Sequence, residues 1–118
     1  MKKIYHLGTC STSQRLIKEW NPGPEVLLQD IKTESMTEEQ VDEMAQLAGS
    51  YEALFSRRAM KFRGMGLNEM ELSEEDYRRY ILEEYTFLKR PVVLVGDQIF
   101  VGNAKKTAEQ AGIALRAE

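Results

Sequence analysis

Cysteine is almost absent: Cys10 stands alone among 118 residues. No disulfide can close within the chain, and a reducing compartment, the cytoplasm, is the expected location. Long apolar runs are missing as well. Val92-Val93-Leu94-Val95 spans four residues, where a membrane-crossing helix needs about 20. The apolar stretch after Met1-Lys2-Lys3 runs only from Ile4 to Leu7 and is interrupted by His6, too short for the core of an export signal. Leu7-Gly8-Thr9-Cys10 has the outline of a lipoprotein cleavage box but lacks the hydrophobic segment that would deliver it to a membrane. Nor is there an excess of positive charge. Sixteen Lys and Arg against 19 Asp and Glu leave a net charge of −3, which offers no general attraction to nucleic acid or an anionic membrane. What is present suits one globular domain spanning residues 1–118, with 42% hydrophobic residues for a core and 30% charged residues for a surface.

Residues 2–7 form a β-rich run closed by Gly8, and Ser11, Thr12 or Ser13 is placed to cap a helix reaching about Trp20. Asn21-Pro22-Gly23-Pro24 breaks that helix, and residues 25–31 resume an extended pattern suited to a strand parallel to the first. The opening is therefore a βαβ unit. Thr37-Glu38-Glu39-Gln40 matches a capping box, followed by Val41, Met44, Ala45 and Ala48 at helical spacing, with Gly49-Ser50 as the stop. Tyr51 to Phe55 reads as a further short helix. Ser73 with Glu74, Glu75 and Asp76 puts a cap and three acids at the positive end of another helix, whose buried face is Tyr77, Ile81, Tyr85 and Leu88. After Pro91, two short apolar runs flank Gly96-Asp97 as a hairpin. Asn103 is placed to cap a last helix with Ala104, Thr107, Ala108 and Ala111 inward and Gly112 as its end. The order βαβ, helices, ββα predicts an α/β fold with a mixed four-stranded sheet and a helical insertion over about residues 37–72.

Cys10 follows the first strand and precedes the first helix, where unpaired backbone N–H groups and the helix dipole favour an anion. A thiolate is such an anion, and a nucleophile at neutral pH. Ser13 completes Cys-x-x-Ser and can donate a hydrogen bond to the sulfur from one turn away. His6, as an imidazolium, would favour the charged sulfur if its side chain reaches the strand's end. Arg90, just before Pro91, presents a guanidinium suited to an oxyanion. Arg57, Arg58, Lys61 and Arg63 fall within seven residues that include no acid. They read either as an anion-receiving wall, through Arg57 or Arg58, or as a solvated helix face.

Ile4-Tyr5-His6, Cys10-Ser11-Thr12-Ser13, Arg90-Pro91-Val92-Val93 and the βαβ, helical insert, ββα order together resemble the ArsC/Spx/YffB-like arsenate reductase family over nearly the whole chain. The resemblance implies a thioredoxin-like fold and a cis Pro91 that turns its neighbouring backbone toward Cys10. It implies Cys10 as the nucleophile, with Ser13, Arg58 and Arg90 receiving a small oxyanion or a glutathione-type thiol substrate, and with His6 and Thr12 in support. The implied reductant is external, glutathione with glutaredoxin or thioredoxin, and no bound cofactor or metal is expected. In the family's reductases the cysteine attacks arsenate, glutathione resolves the adduct and glutaredoxin restores the thiol. A third arginine of that pattern would fall near Val101, where this chain has no basic residue. The Spx-like branch implies the alternative of a regulator that docks on the RNA polymerase α subunit without catalysis and without touching nucleic acid directly.

Overall fold

The structure is a computed structural model that describes residues 1–117. The chain forms two compact units, one made of Met1–Ser35 with the segment from Arg90 onward, the other of Met36–Lys89.

The first unit carries the sheet. Strands β1 (Lys2–His6), β2 (Val26–Asp30), β3 (Val92–Val95) and β4 (Gln98–Val101) lie in the order β2-β1-β3-β4. β1 runs parallel to β2, with His6 opposite Asp30, and antiparallel to β3, with Ile4 opposite Val93. β3 and β4 form the hairpin expected from Gly96-Asp97, and Gly96 takes φ 60°, a conformation open to glycine. Helices α1 (Ser11–Trp20) and α5 (Lys105–Arg116) complete the unit. Leu16 and Trp20 of α1, Ala108, Ala111 and Leu115 of α5, and Ile4, Val26 and Val93 of the sheet form one buried cluster. These residues recur at helical spacing on the helices and on one face of the strands, as burial of apolar area requires.

Two details at α5 differ from expectation. Its cap position is Ala104, not Asn103, because the Asn103 amide reaches the Arg90 carbonyl at 3.3 Å. Gly112 does not end the helix but lies buried inside it. A Cβ there would stand 2.9 Å from Trp20 Cδ1, so the glycine makes room for the indole, whose Nε1 donates to the Ala108 carbonyl at 3.0 Å.

The second unit is helical: α2 (Glu38–Ala48), α3 (Met60–Gly64) and α4 (Glu74–Glu83), with 3-10 turns at Glu52–Leu54, Leu67–Glu69 and Tyr85–Phe87. Both α2 and α4 begin with a reciprocal capping box, Thr37 with Gln40 and Ser73 with Asp76. Val41, Met44, Leu54, Ile81, Phe87 and Leu88 are buried, and the Phe55 ring stacks on Phe87 and meets Tyr77 and Phe62. The helical unit reaches Lys89 and not about residue 72, because α4 packs on α2 and its Arg78 binds Asp42 and Glu38 there. Tyr85 leaves the expected α4 stripe, since the helix stops at Glu83.

Candidate active site at the start of the first helix

Cys10 itself occupies the cap position of α1, with extended backbone at φ −93° and ψ 108°. The expected caps Ser11, Thr12 and Ser13 are instead the first three helical residues, which leaves their N–H groups without partners inside the helix. The Cys10 carbonyl accepts from Gln14 N–H at 3.1 Å, and its own N–H donates to Leu7 O at 2.9 Å. Cys10 is partly exposed. It closes no conventional cap hydrogen bond, yet the Ser13 N–H that such a bond would satisfy still acts on it.

Burial pushes the Cys10 thiol up, but opposing effects are together stronger. The Ser13 N–H, the Ser13 hydroxyl and the Arg90 guanidinium favour the ionised sulfur, so the thiol titrates below its ordinary value. Ser13 is fully buried and its hydroxyl closes no hydrogen bond of conventional geometry, but it still favours the ionised form of Cys10. Arg90 is half-buried and is followed by a cis Arg90-Pro91 bond, as the resemblance implied. Cys10, Ser13 and Arg90 are thus brought together within the sheet unit. Thr12 is half-buried on the first turn of α1.

His6 has other partners. Its Nδ1 lies 3.1 Å from Gln14 Nε2, which also donates to the Leu7 carbonyl at 3.0 Å. Because a carbonyl only accepts, the nitrogen end of the Gln14 amide points this way, and His6 Nδ1 is an acceptor. Burial lowers the His6 pKa more than the Asp30 carboxylate raises it, which favours the neutral ring. The expected imidazolium beside the sulfur is replaced by a neutral ring held by Gln14.

Two neighbours went unmarked in the sequence, Gln14 and Asp30. Gln14 stands four residues after Cys10, one helical turn on, a spacing that signals its reach back to the turn. Asp30 ends the parallel strand beside His6, and the βαβ register was the only available sign of it.

Two of the four cations in the basic segment of the helical unit are matched by acids from outside its own stretch. Arg57 donates to Glu52 at 2.8 Å and to the Tyr77 hydroxyl at 2.9 Å, and Lys61 binds Glu84. Arg58 is exposed and makes no ion pair among the described residues. Val101 lies in β4 opposite Val92, and Gly102 N–H donates to the Pro91 carbonyl at 2.9 Å. Among the described residues no helix is long and apolar enough to cross a membrane.

The sequence model of the ArsC family matches residues 5–111. Among solved structures, the chain is similar to a YffB protein, with a TM-score of 0.78 and 19% identity over 98% of this chain and 99% of that one. An arsenate reductase from Vibrio cholerae aligns with a TM-score of 0.75 and 20% identity over 93% of each chain. An arsenate reductase related protein from Brucella melitensis aligns with a TM-score of 0.69 and 20% identity over 92% of each. These likenesses show the thioredoxin-like fold. No curated protein matches the chain.

Proposed function

Because the chain belongs to the ArsC family, we propose that it is a thiol oxidoreductase whose single nucleophile is Cys10 and whose thiol is restored by glutathione or a glutaredoxin-type protein. The observation that carries this reading is the sulfur at the start of α1, its ionised form favoured by Ser13 and Arg90. A lowered pKa raises the share of thiolate, the nucleophilic form of the side chain, and Cys10 is partly exposed.

With a glutathione mixed disulfide R–S–SG, the Cys10 thiolate attacks the glutathione sulfur. The R–S bond to that sulfur breaks, R–S⁻ leaves and takes a proton, and Cys10–S–SG forms. The chain has no second cysteine to resolve it. A glutathione thiolate therefore attacks the adduct, returns the Cys10 thiolate and leaves glutathione disulfide; two electrons pass from glutathione to R. An oxyanion would meet the same sulfur and the same Arg90, with one guanidinium fewer than the family pattern because Val101 is not basic. A single charge-assisted hydrogen bond contributes about 1.5–3 kcal/mol, so arsenate is expected to bind more weakly than it would with the third arginine present.

The test is turnover of arsenate and of a glutathionylated substrate, each with glutathione and glutaredoxin, beside Cys10→Ser. Turnover that disappears in the variant supports the reading. No turnover with either substrate, together with retention on the polymerase α C-terminal domain that survives Cys10→Ala, overturns it in favour of a non-catalytic regulator.

A further inference from the structure

The turn that delivers Cys10 to α1 is fastened from a direction the nucleophile's own neighbours do not explain. Asp30, at the end of β2, extends its carboxylate across to that turn: Oδ2 accepts the Gly8 N–H at 3.2 Å, while Oδ1 accepts the Lys32 N–H at 3.0 Å. The approach is so close that a Cβ on Gly8 would stand 2.5 Å from Oδ2. Gly8 is therefore needed for the contact, not only for ending the strand. On the other side, Gln14 holds the Leu7 carbonyl and His6, and the Leu7 carbonyl also receives the Cys10 N–H.

We propose that Asp30 is a positioning residue for Cys10, clamping Gly8 so that the sulfur stays at the cap of α1 in front of the Ser13 N–H. The inference rests on Cys10 being the reactive group, but not on which substrate it meets. Asp30 touches neither the sulfur nor any reacting atom; it acts through the backbone of the turn. The titratable and charged groups facing it are few among the described residues. His6 faces it from β1, and its own carboxyl is held below the usual range by the Lys32 N–H first and by Gly8 and His6 in support. Arg90 is the cation acting on the sulfur.

Charge and position predict opposite signs, which makes the role separable. An anion near a thiol disfavours the thiolate, so removal of the Asp30 charge by itself lowers the Cys10 pKa. Loss of the clamp loosens the turn, takes the sulfur away from the Ser13 N–H and raises it. The experiment is the rate of iodoacetamide alkylation of Cys10 against pH, which reads ionisation whether or not any substrate turns over. For Asp30→Ala the midpoint is expected to rise by about half a pH unit, with alkylation about threefold slower at pH 7. Asp30→Asn removes the charge and leaves one acceptor oxygen for the two N–H groups that the carboxylate serves with separate oxygens, so its midpoint is expected below that of Asp30→Ala. Gly8→Ala keeps the charge but forces the contact apart, and should reproduce the rise even where Asp30→Ala fails to fold. A midpoint in Asp30→Ala or Gly8→Ala equal to or below native overturns the proposal. Alkylation results of the expected sign with no turnover on any substrate would leave the clamp standing and remove the proposed reaction.

Discussion

The sheet unit and the helical unit use charge in different ways. In the sheet unit the ionised groups beside Cys10, namely Arg90 and Asp30, act on the sulfur or on the turn that carries it. In the helical unit cations are occupied in joining elements: Arg78 ties α4 to Asp42 and Glu38 of α2, Arg57 meets Glu52 and Tyr77, and Lys61 meets Glu84. A cluster of arginines and lysines in sequence is thus a poor guide to an anion site, because partners from distant positions are invisible there. A single arginine before a proline, beside a cysteine at a helix start, says more. The two units also differ in how their cores are set. One packs two helices on a sheet around Trp20, the other stacks aromatic rings around Phe55.

The sharpest break between the units is in activity. Cys10→Ser is expected to abolish turnover of whichever substrate is accepted, measured as glutathione oxidation coupled to glutaredoxin, while its unfolding midpoint in urea stays close to native. Phe55→Ala should do the reverse to the helical unit. Truncating a fully buried ring that contacts three other aromatic residues costs about 3–5 kcal/mol, read from urea unfolding. In the sheet unit the comparable steric test adds an atom. Gly112→Ala drives a methyl against the Trp20 indole and should destabilise by about 1–3 kcal/mol, with a change in Trp20 fluorescence, since that is the only tryptophan.

Much of this architecture was legible because local chemistry and global packing agree. The βαβ opening, the Thr37 and Ser73 caps and the Gly96-Asp97 hairpin all follow from patterns a few residues long. Cys10 at a strand-to-helix junction was legible for the same reason. What escaped was set by contacts across the chain. Gly112 looked like a helix stop because nothing nearby announces an indole 92 positions earlier in the sequence. Asn103 looked like a cap because its pull toward the Arg90 carbonyl is a tertiary fact. Gln29 points into the interior of a strand that otherwise exposes Leu27 and Leu28, and its amide is satisfied there by the Glu34 carbonyl at 3.1 Å. His6 is placed by the sequence near Cys10, whereas burial, opposed by Asp30, sets the direction of its pKa.

The thiolate itself couples the site to stability with a definite sign. The folded-state pKa of Cys10 lies below its ordinary value, so its contribution is fully present above the unfolded thiol pKa of about 8.5 and is lost as pH falls through the folded value. The melting temperature of the native protein relative to Cys10→Ser should therefore rise as pH is raised across that window and level off above it. A difference that stays flat with pH would mean that Ser13 and Arg90 do not stabilise the charged sulfur.

The smallest expected effects come from neighbouring arginines of the helical unit, and they sharpen the contrast most finely. Arg57 and Arg58 are equivalent in sequence, yet among the described residues only Arg57 is engaged, with Glu52, the Tyr77 hydroxyl and the Tyr77 ring face 5.7 Å from its guanidinium carbon. The side chains of the Arg57–Glu52 pair are 50% and 54% exposed, and such a pair contributes only about 0–1 kcal/mol. The ring adds about 0.5–1 kcal/mol at an exposed position. Arg57→Ala is thus expected to cost about 1 kcal/mol, and Arg58→Ala to stay within about 0.5 kcal/mol of native, both from urea unfolding. A double-mutant cycle of Arg57→Ala with Tyr77→Phe separates the hydroxyl from the ring, because phenylalanine keeps the π face and removes only the acceptor. If Arg58→Ala proves as costly as Arg57→Ala, the cation has a structural partner in solution, and the division between occupied and unoccupied charge in this unit is wrong.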